Sequence, residues 1–97
     1  MREPAASEFA PPARQRLDLW LWHARVVRAR AAAAGLVREG HVRVDGARTT
    51  SAGHMLRAGQ VVTVSLDHAV RVLRVIGFSE RREDATSALA TYEEITD

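Results

Sequence analysis

The apolar pattern of this chain changes its period at Gly40, and no other feature constrains its fold as strongly. Within residues 17–24, before that glycine, apolar side chains recur at i, i+3, i+4 and i+7, the spacing of an amphipathic helix. Residues 41–44, after it, alternate polar and apolar side chains, which is the period of a half-buried strand. Asp45-Gly46 follows, a strong signal for a type I′ hairpin turn. The sequence therefore predicts a helical half followed by antiparallel strands.

The remaining patterns extend this prediction along the chain. A second helix is predicted over about residues 29–39, with Gly40 at the position where glycine usually ends a helix. Residues 50–59 are predicted to form an irregular connection. Further strands are predicted at residues 47–49, 61–66 and 70–76.

The end of the chain predicts one more helix. Asp84 can cap it, because an apolar stripe at helical spacing follows. That stripe consists of Ala85, Ala88, Leu89 and Tyr92. Residues 1–15 hold all three prolines and are predicted to be a disordered leader, and residues 16–97 a single domain. The predicted class is α+β: a small helix pair packed on a short, mostly antiparallel β-sheet and hairpin, with a C-terminal helix.

Charge is distributed unevenly, although the net charge is only +2. Residues 14–57 hold nine arginines and three acidic residues, a difference of +6. Residues 80–97 hold two arginines and six acidic residues, a difference of −4. A basic body with an acidic end is typical of proteins that bind polyanions. No segment has the apolar length of a signal peptide or a bilayer span, so we expect a soluble, cytoplasmic protein with no membrane partner.

Residues for catalysis or metal binding do not form a recognisable pattern. There is no cysteine, which excludes thiolate metal sites and cysteine nucleophiles. The four histidines are scattered without metal-ligand spacing, and we interpret them as surface residues: His23, His41, His54 and His68. No phosphate-cradling glycine loop or nucleophile elbow is present. We therefore expect no enzyme activity, no cofactor, no metal and no small-molecule substrate.

The arginines supply the candidate binding surface. Several lie at the predicted helix ends, and Arg43 and Arg48 should face each other on the polar side of the hairpin. If the hairpin packs beside the helix pair, these groups form one continuous basic surface suited to RNA phosphates. Trp20 lies on the apolar stripe, whereas Trp22 lies off it and either stacks on a base or covers the last helix. The candidate RNA-binding residues are Arg16, Trp22, Arg25, Arg28, Arg30, Arg38, His41, Arg43 and Arg48.

Residues 16–64 resemble the small RNA-binding domain named after the fourth protein of the small ribosomal subunit, the S-four domain. The matching segments are Arg16-Leu17-Asp18 with Leu21, Arg30, Leu36-Val37, Gly40, Val42-Arg43-Val44-Asp45-Gly46 and Gly59-Gln60-Val61. The resemblance implies a helix pair packed on a hairpin-rich sheet, the alpha-L motif. It also implies an RNA-binding surface along the helices and the hairpin.

Within that family, the chain is similar to the ribosome-associated fifteen-kilodalton heat-shock proteins. The similarity lies in Trp20-Leu21-Trp22 and Ala24-Arg25, and later in Arg81-Arg82 and Tyr92-Glu93-Glu94. It implies structured ribosomal or transfer RNA as partner, binding to the large ribosomal subunit, and a stress role on stalled subunits. Ala29 stands where the family usually has a helix-capping serine or threonine. The basic C-terminal extension of that family has no counterpart in residues 1–97. If that extension contributes much of the ribosome affinity, we expect this protein to bind ribosomes more weakly or to use another partner.

Two other functions are compatible with the residues. The acidic C-terminal helix could be the contact face of a protein-interaction module. Two helices followed by a hairpin also resemble a winged helix that binds duplex DNA. The second helix, however, carries four successive alanines and then Gly35, so it offers few side chains that could read base edges.

Overall fold

The computed structural model describes residues 13–82 and 84–95 of the 97-residue chain. The helices are α1 (Leu17–His23), α2 (Arg30–Arg38) and α3 (Ala85–Ala88), the last continued by a 3₁₀ turn at Leu89–Thr91. The strands are β1 (Arg14–Arg16), β2 (Val42–Val44), β3 (Ala47–Arg48), β4 (Met55–Arg57), β5 (Val61–Ser65), β6 (Val70–Val75) and β7 (Tyr92–Glu94). The α+β class is confirmed.

The strands form two antiparallel sheets. β1 pairs with β4 in a two-stranded ribbon. The larger sheet has the order β3-β2-β5-β6-β7, and every neighbouring pair in it is antiparallel. In β2, β5 and β6, buried apolar residues alternate with more exposed residues, as the period-2 pattern requires. One face of this sheet therefore lies on the core and the other faces solvent.

The helix pair covers the buried face of the sheet. From α1, Leu17, Trp20 and Leu21 are fully buried, and from α2 Ala33 and Val37 join them in one apolar cluster with the sheet valines. The start of α2 lacks a side-chain cap, as expected from an alanine at that position. The helix ends at Arg38, and Gly40, two residues later, has a φ of +84°. Both predicted helices are thus confirmed with their boundaries within a residue or two.

The hairpin turn between β2 and β3 adopts the predicted geometry. Asp45 and Gly46 have φ of +51° and +83°, and a type I′ turn requires positive φ at both central residues. The Asp45 carboxylate accepts a hydrogen bond of 2.9 Å from the Val61 backbone N–H. The aspartate therefore also fixes the turn to the next strand of the sheet.

The end of the chain differs from the prediction of a longer helix. Asp84 does cap α3, since its Oδ1 accepts a 2.8 Å hydrogen bond from the Ser87 backbone N–H. The helix has only four residues, and Tyr92 belongs to strand β7 instead of the helical stripe. Leu89, predicted to face the core, is 60% exposed. The cause is pairing with β6, because Arg71 and Arg74 hold Glu94 and Glu93 by ion pairs.

The ribbon of β1 and β4 was not predicted. Residues 14 and 15, assigned by sequence to the disordered leader, lie in β1, and residues 55–57 of the predicted irregular connection form β4. The buried Gln15 side chain donates a 2.7 Å hydrogen bond to the Ser79 carbonyl, which anchors β1 to the rest of the domain. Residues 1–12 of the predicted leader lie outside the described residues. Among the described helices, none has the length and hydropathy needed to cross a bilayer.

Candidate nucleic-acid interface

Two of the candidate arginines meet at a buried carboxylate in the first turn of α1. Asp18 is only 3% exposed. Arg16 donates to it from Nε at 3.0 Å and from Nη2 at 3.1 Å, and the Arg30 Nε lies 3.7 Å from Oδ2. Hydrogen bonding to the carboxylate raises the pKa of Arg16 above its ordinary value. The arginine that precedes α1 and the arginine that begins α2 are therefore held side by side.

The loop before β4 closes this cluster from the other side. The Asp18 backbone N–H donates to the Ala52 carbonyl at 3.1 Å, and the Leu17 N–H donates to the His54 carbonyl at 2.8 Å. A Cβ added to Gly53 would lie 3.6 Å from the guanidinium carbon of Arg16. The backbone at this glycine thus lies alongside the guanidinium. Neither Asp18 nor Gly53 was among the predicted site residues. The sequence places Asp18 two residues after Arg16, and only the packing of α2 beside α1 brings Arg30 to the same carboxylate.

Arg25 and Arg28 lie exposed in the turn between α1 and α2, as predicted. Arg25 has a φ of +63°, a left-handed conformation that turns the chain sharply after α1. The start of α3 lies near this turn. The hydrogen bond from Ser87 is the main cause of the lowered pKa of Asp84, and the positive charge of Arg25 contributes. The interhelical turn thus lies next to the beginning of the acidic segment.

The hairpin arginines form a second cluster. Arg43 and Arg48 are directly opposite each other across β2 and β3, as predicted. The Arg43 Nη1 donates to the Gly46 carbonyl at 3.3 Å. The Arg48 side chain lies beside Gly40, where an added Cβ would approach its Cδ to 3.4 Å. This cluster therefore adjoins the end of α2.

The last two polar candidates lie near the end of α2. Arg38 and His41 are both exposed, and the His41 Nε2 lies 3.6 Å from a Glu39 carboxylate oxygen. The acidic neighbour reduces the local positive charge at this end of the surface.

The contacts thus join four of the seven candidate arginines in two clusters. Val42 and Val44 are buried, so Arg43 between them projects from the sheet face opposite the core. Arg16 and Arg30 lie at the start of the helix pair instead. That the helix cluster and the hairpin cluster work as one continuous basic surface stays a prediction.

The two tryptophans differ in burial as the periodicity indicates. Trp20 is fully buried, and its Nε1 donates to the Gly77 carbonyl at 3.2 Å. Trp22 is half-buried, packs against the core, and has its ring centroid 5.3 Å from that of His23. Arg82 Nε donates to the Trp22 carbonyl at 3.2 Å, a contact that ties the segment before α3 to α1. The half-buried ring keeps one part accessible to a ligand.

The interpretation of all four histidines as surface residues is wrong for His23. It is 3% exposed, and its Nδ1 lies 2.9 Å from the Ser79 carbonyl, close enough for a hydrogen bond in one tautomer. It lies on the buried side of α1 beside Gln15, whose Nε2 is 3.5 Å away. This contact is structural, between α1, β1 and the segment after β6. Within residues 13–82 and 84–95, no group of three or more histidine or acidic side chains is placed to hold a metal ion.

Comparison with known proteins agrees with this architecture. A family model described as S4 domain, the S-four domain introduced above, matches residues 15–62. Heat shock protein 15 homolog from Aeromonas salmonicida is 37% identical over 79 residues, which are 81% of this chain and 59% of that protein. Heat shock protein 15 from Escherichia coli strain K12 is 31% identical over 84 residues, 87% of this chain and 62% of that protein.

A solved structure extends the similarity to three dimensions. The trimeric structure of Vibrio cholerae Heat Shock Protein 15 superposes with a TM-score of 0.79 at 29% sequence identity. The match covers 84% of this chain and 82% of that one. The chain spans about three fifths of the length of the curated relatives that it matches.

Proposed function

This chain belongs to the S4 domain family, and from that premise we propose that it is a non-catalytic protein that binds structured RNA through its exposed arginines. The observation that carries the proposal is the position of those arginines. All nine candidate residues fall within residues 15–62, the part that matches the family. Guanidinium groups pair with phosphate oxygens through two parallel hydrogen bonds, so an exposed arginine cluster suits an RNA backbone.

The finer part of the proposal concerns the partner. We propose ribosomal or transfer RNA as the target and the large ribosomal subunit as the particle to which the protein binds in the cytoplasm, in a stress or stalled-ribosome role. Relatives named heat shock protein 15 support the stress role. The chain covers only part of those relatives, so its affinity has to be measured on this chain itself.

The structure argues against the alternative function, a protein-interaction module with the acidic C-terminal helix as its contact face. Glu93 and Glu94 lie on β7, where their carboxylates pair with Arg74 at 2.8 Å and Arg71 at 2.7 Å. An acidic strand occupied by arginines of its own domain is a poor contact face for a partner. The duplex-DNA alternative is tested by competition, in which structured RNA should displace the protein from labelled RNA better than duplex DNA does.

The proposal is tested by fluorescence anisotropy of a labelled structured RNA over a salt series. The logarithm of the binding constant should fall with the logarithm of salt at a slope of roughly −4 if six arginines contact phosphates. These six are Arg16, Arg25, Arg28, Arg30, Arg43 and Arg48. The double variant Arg43→Gln/Arg48→Gln should make that slope shallower by about 1.4 units, because two phosphate contacts are lost.

The chain offers a matched control for this variant. Arg14 and Arg57 are also exposed and also directly opposite each other across an antiparallel strand pair, but neither is a candidate residue. Arg14→Gln/Arg57→Gln removes the same charge and should leave the slope nearly unchanged. An equal decrease of the slope in both double variants would contradict the proposed position of the interface. A wild-type protein without RNA affinity would contradict the proposed function.

A further inference from the structure

We propose that Asp18 is a positioning residue that holds Arg16 and Arg30 as a paired phosphate-binding site. This inference rests on the RNA binding proposed above and assigns a role to a carboxylate that cannot itself face an anion. Asp18 does not contact RNA in this arrangement. Its effect on binding passes through the two arginines.

A positioning role requires a buried carboxylate beside exposed guanidinium groups, and Asp18, Arg16 and Arg30 differ in burial in this way. The Asp18 side chain is 4% exposed, whereas the side chains of Arg16 and Arg30 are 46% and 47% exposed. A backbone contact also holds the carboxylate in place, because its Oδ1 accepts a 2.8 Å hydrogen bond from the Leu19 backbone N–H. An anion in solvent therefore meets the guanidinium groups and not the acid that orients them.

The contacts leave donors available for a phosphate. A guanidinium has five N–H donors in a planar fork, and Arg16 directs only Nε and one Nη2 hydrogen to Asp18. The remaining hydrogens lie on the other edge of the same plane. Two arginines and one aspartate sum to a charge of +1, which matches one phosphodiester. Because the rotamer of Arg16 is already fixed, little side-chain freedom remains to be lost when RNA binds.

Gly53 supports the same geometry from the opposite side. It lies next to the Arg16 guanidinium, and an alanine methyl there would make an ordinary contact at 3.6 Å. A branched side chain would reach further and press on the guanidinium. The glycine therefore offers a way to displace Arg16 while leaving Asp18 intact.

The first test is Asp18→Asn, which keeps the shape of the side chain and removes its charge. Simple electrostatics predicts tighter RNA binding, because a negative charge near a polyanion site is lost. Positioning predicts the opposite sign, and we expect affinity to fall about fivefold as Arg16 loses its charged hydrogen-bond partner and Arg30 loses its ion pair. Glu39→Gln is the matched control: it removes a carboxylate that is 72% exposed and should leave affinity unchanged or slightly higher.

A double-mutant cycle separates positioning from a general loss of structure. In an Arg16→Ala/Arg30→Ala background, Asp18→Asn should cause no further loss of RNA affinity, because the groups through which it acts are absent. Circular dichroism checks that each variant is folded. A further fivefold loss in that background would overturn the inference.

Substitutions at Gly53 test the positioning role of Asp18 if the Asp18→Asn variant does not fold. Gly53→Val should weaken RNA binding several-fold while Gly53→Ala does not, since only the branched side chain displaces Arg16. Equal affinities of folded Gly53→Val and wild type would overturn the inference, as would an Asp18→Asn protein that binds RNA as well as wild type. A wild type without RNA affinity would instead overturn the proposed function, so the two failures are distinguishable.

Discussion

At the residue scale, two glycines of the same helix region have opposite backbone requirements. Gly35 lies inside α2 in helical conformation, and a Cβ there would meet no atom within 4 Å. It lines a shallow groove of about 360 Å³ with Leu36 and Leu66, so an added methyl group points into open space. Gly40 has a φ of +84° and lies against the Arg48 side chain. The same substitution should therefore have effects of opposite sign at these two positions.

Gly35→Ala should raise the free energy of unfolding by about 1 kcal/mol, because alanine has the higher helix propensity. Gly40→Ala should lower it by about 1–2 kcal/mol, because an L-residue is strained in the left-handed region. For a domain of this size each kcal/mol corresponds to a shift in Tm of about 4–8 °C, measurable by circular dichroism. Shifts of the same sign in both variants would contradict this account of the two backbone positions.

At the element scale, the well-predicted parts are those whose signal is local. Residues 17–24 carry a complete apolar stripe at helical spacing, and Asp45-Gly46 specifies the turn between β2 and β3 independently of distant residues. Each of these segments fixes its own structure, so the helix pair and the hairpin could be derived from sequence. The same locality explains why most of the candidate arginines were correctly assigned to helix ends and to the hairpin face.

The missed elements depend on pairing between distant residues. β1 and β4 have three residues each, and the inward position of β1 is Gln15, so no apolar alternation marks the strand. Residues 85–92 have helical spacing, but Tyr92 pairs with Val75 in the sheet. The role of Asp18 was also missed, because its two arginine partners are brought together only by the packing of α1 on α2.

The pairing of β7 with β6 predicts a pH-dependent stability. Arg71 donates two hydrogen bonds to Glu94, and these lower the pKa of Glu94 because they favour the charged carboxylate. A carboxylate whose pKa is lower in the folded state stabilises the fold above its unfolded pKa of about 4.3. That stabilisation is lost as the pH falls through the folded-state pKa.

Glu94→Gln should therefore lower the free energy of unfolding at pH 7 by at most about 1 kcal/mol, since the pair is partly exposed to solvent. The difference from wild type should shrink toward zero when thermal melts are repeated at decreasing pH, as the pH falls through the lowered folded-state pKa of Glu94. Glu93→Gln removes the same charge from the same strand but from a more exposed ion pair, and should cost less at pH 7. A Glu94→Gln difference that persists unchanged at low pH would rule out this ion pair as its source.

At the scale of the whole molecule, the fold neutralises part of the acidic end within the sheet. Glu93 and Glu94 are neutralised by Arg74 and Arg71 within the sheet. The arginines of residues 14–57 remain exposed, and the buried Asp18 orients two of them without covering their outer edges. Glu93 and Glu94 therefore compete little with RNA for the basic half, whereas Asp84 lies close enough to Arg25 to interact with its charge.

This distribution leads to a prediction for the ribosome, measured by co-sedimentation of the purified protein with large subunits over a salt series. We expect co-migration at low salt that weakens as screening shortens the Debye length from about 10 Å at 0.1 M. The triple variant Arg25→Gln/Arg28→Gln/Arg30→Gln should no longer co-migrate with the large subunit. The control variant Arg14→Gln/Arg57→Gln/Arg74→Gln removes the same charge and should still co-migrate. Absence of the wild-type protein from ribosomes, with binding to free structured RNA retained, would overturn the ribosomal role alone. Equal loss in both triple variants would mean that total charge, and not the arginines of the helix pair, determines binding.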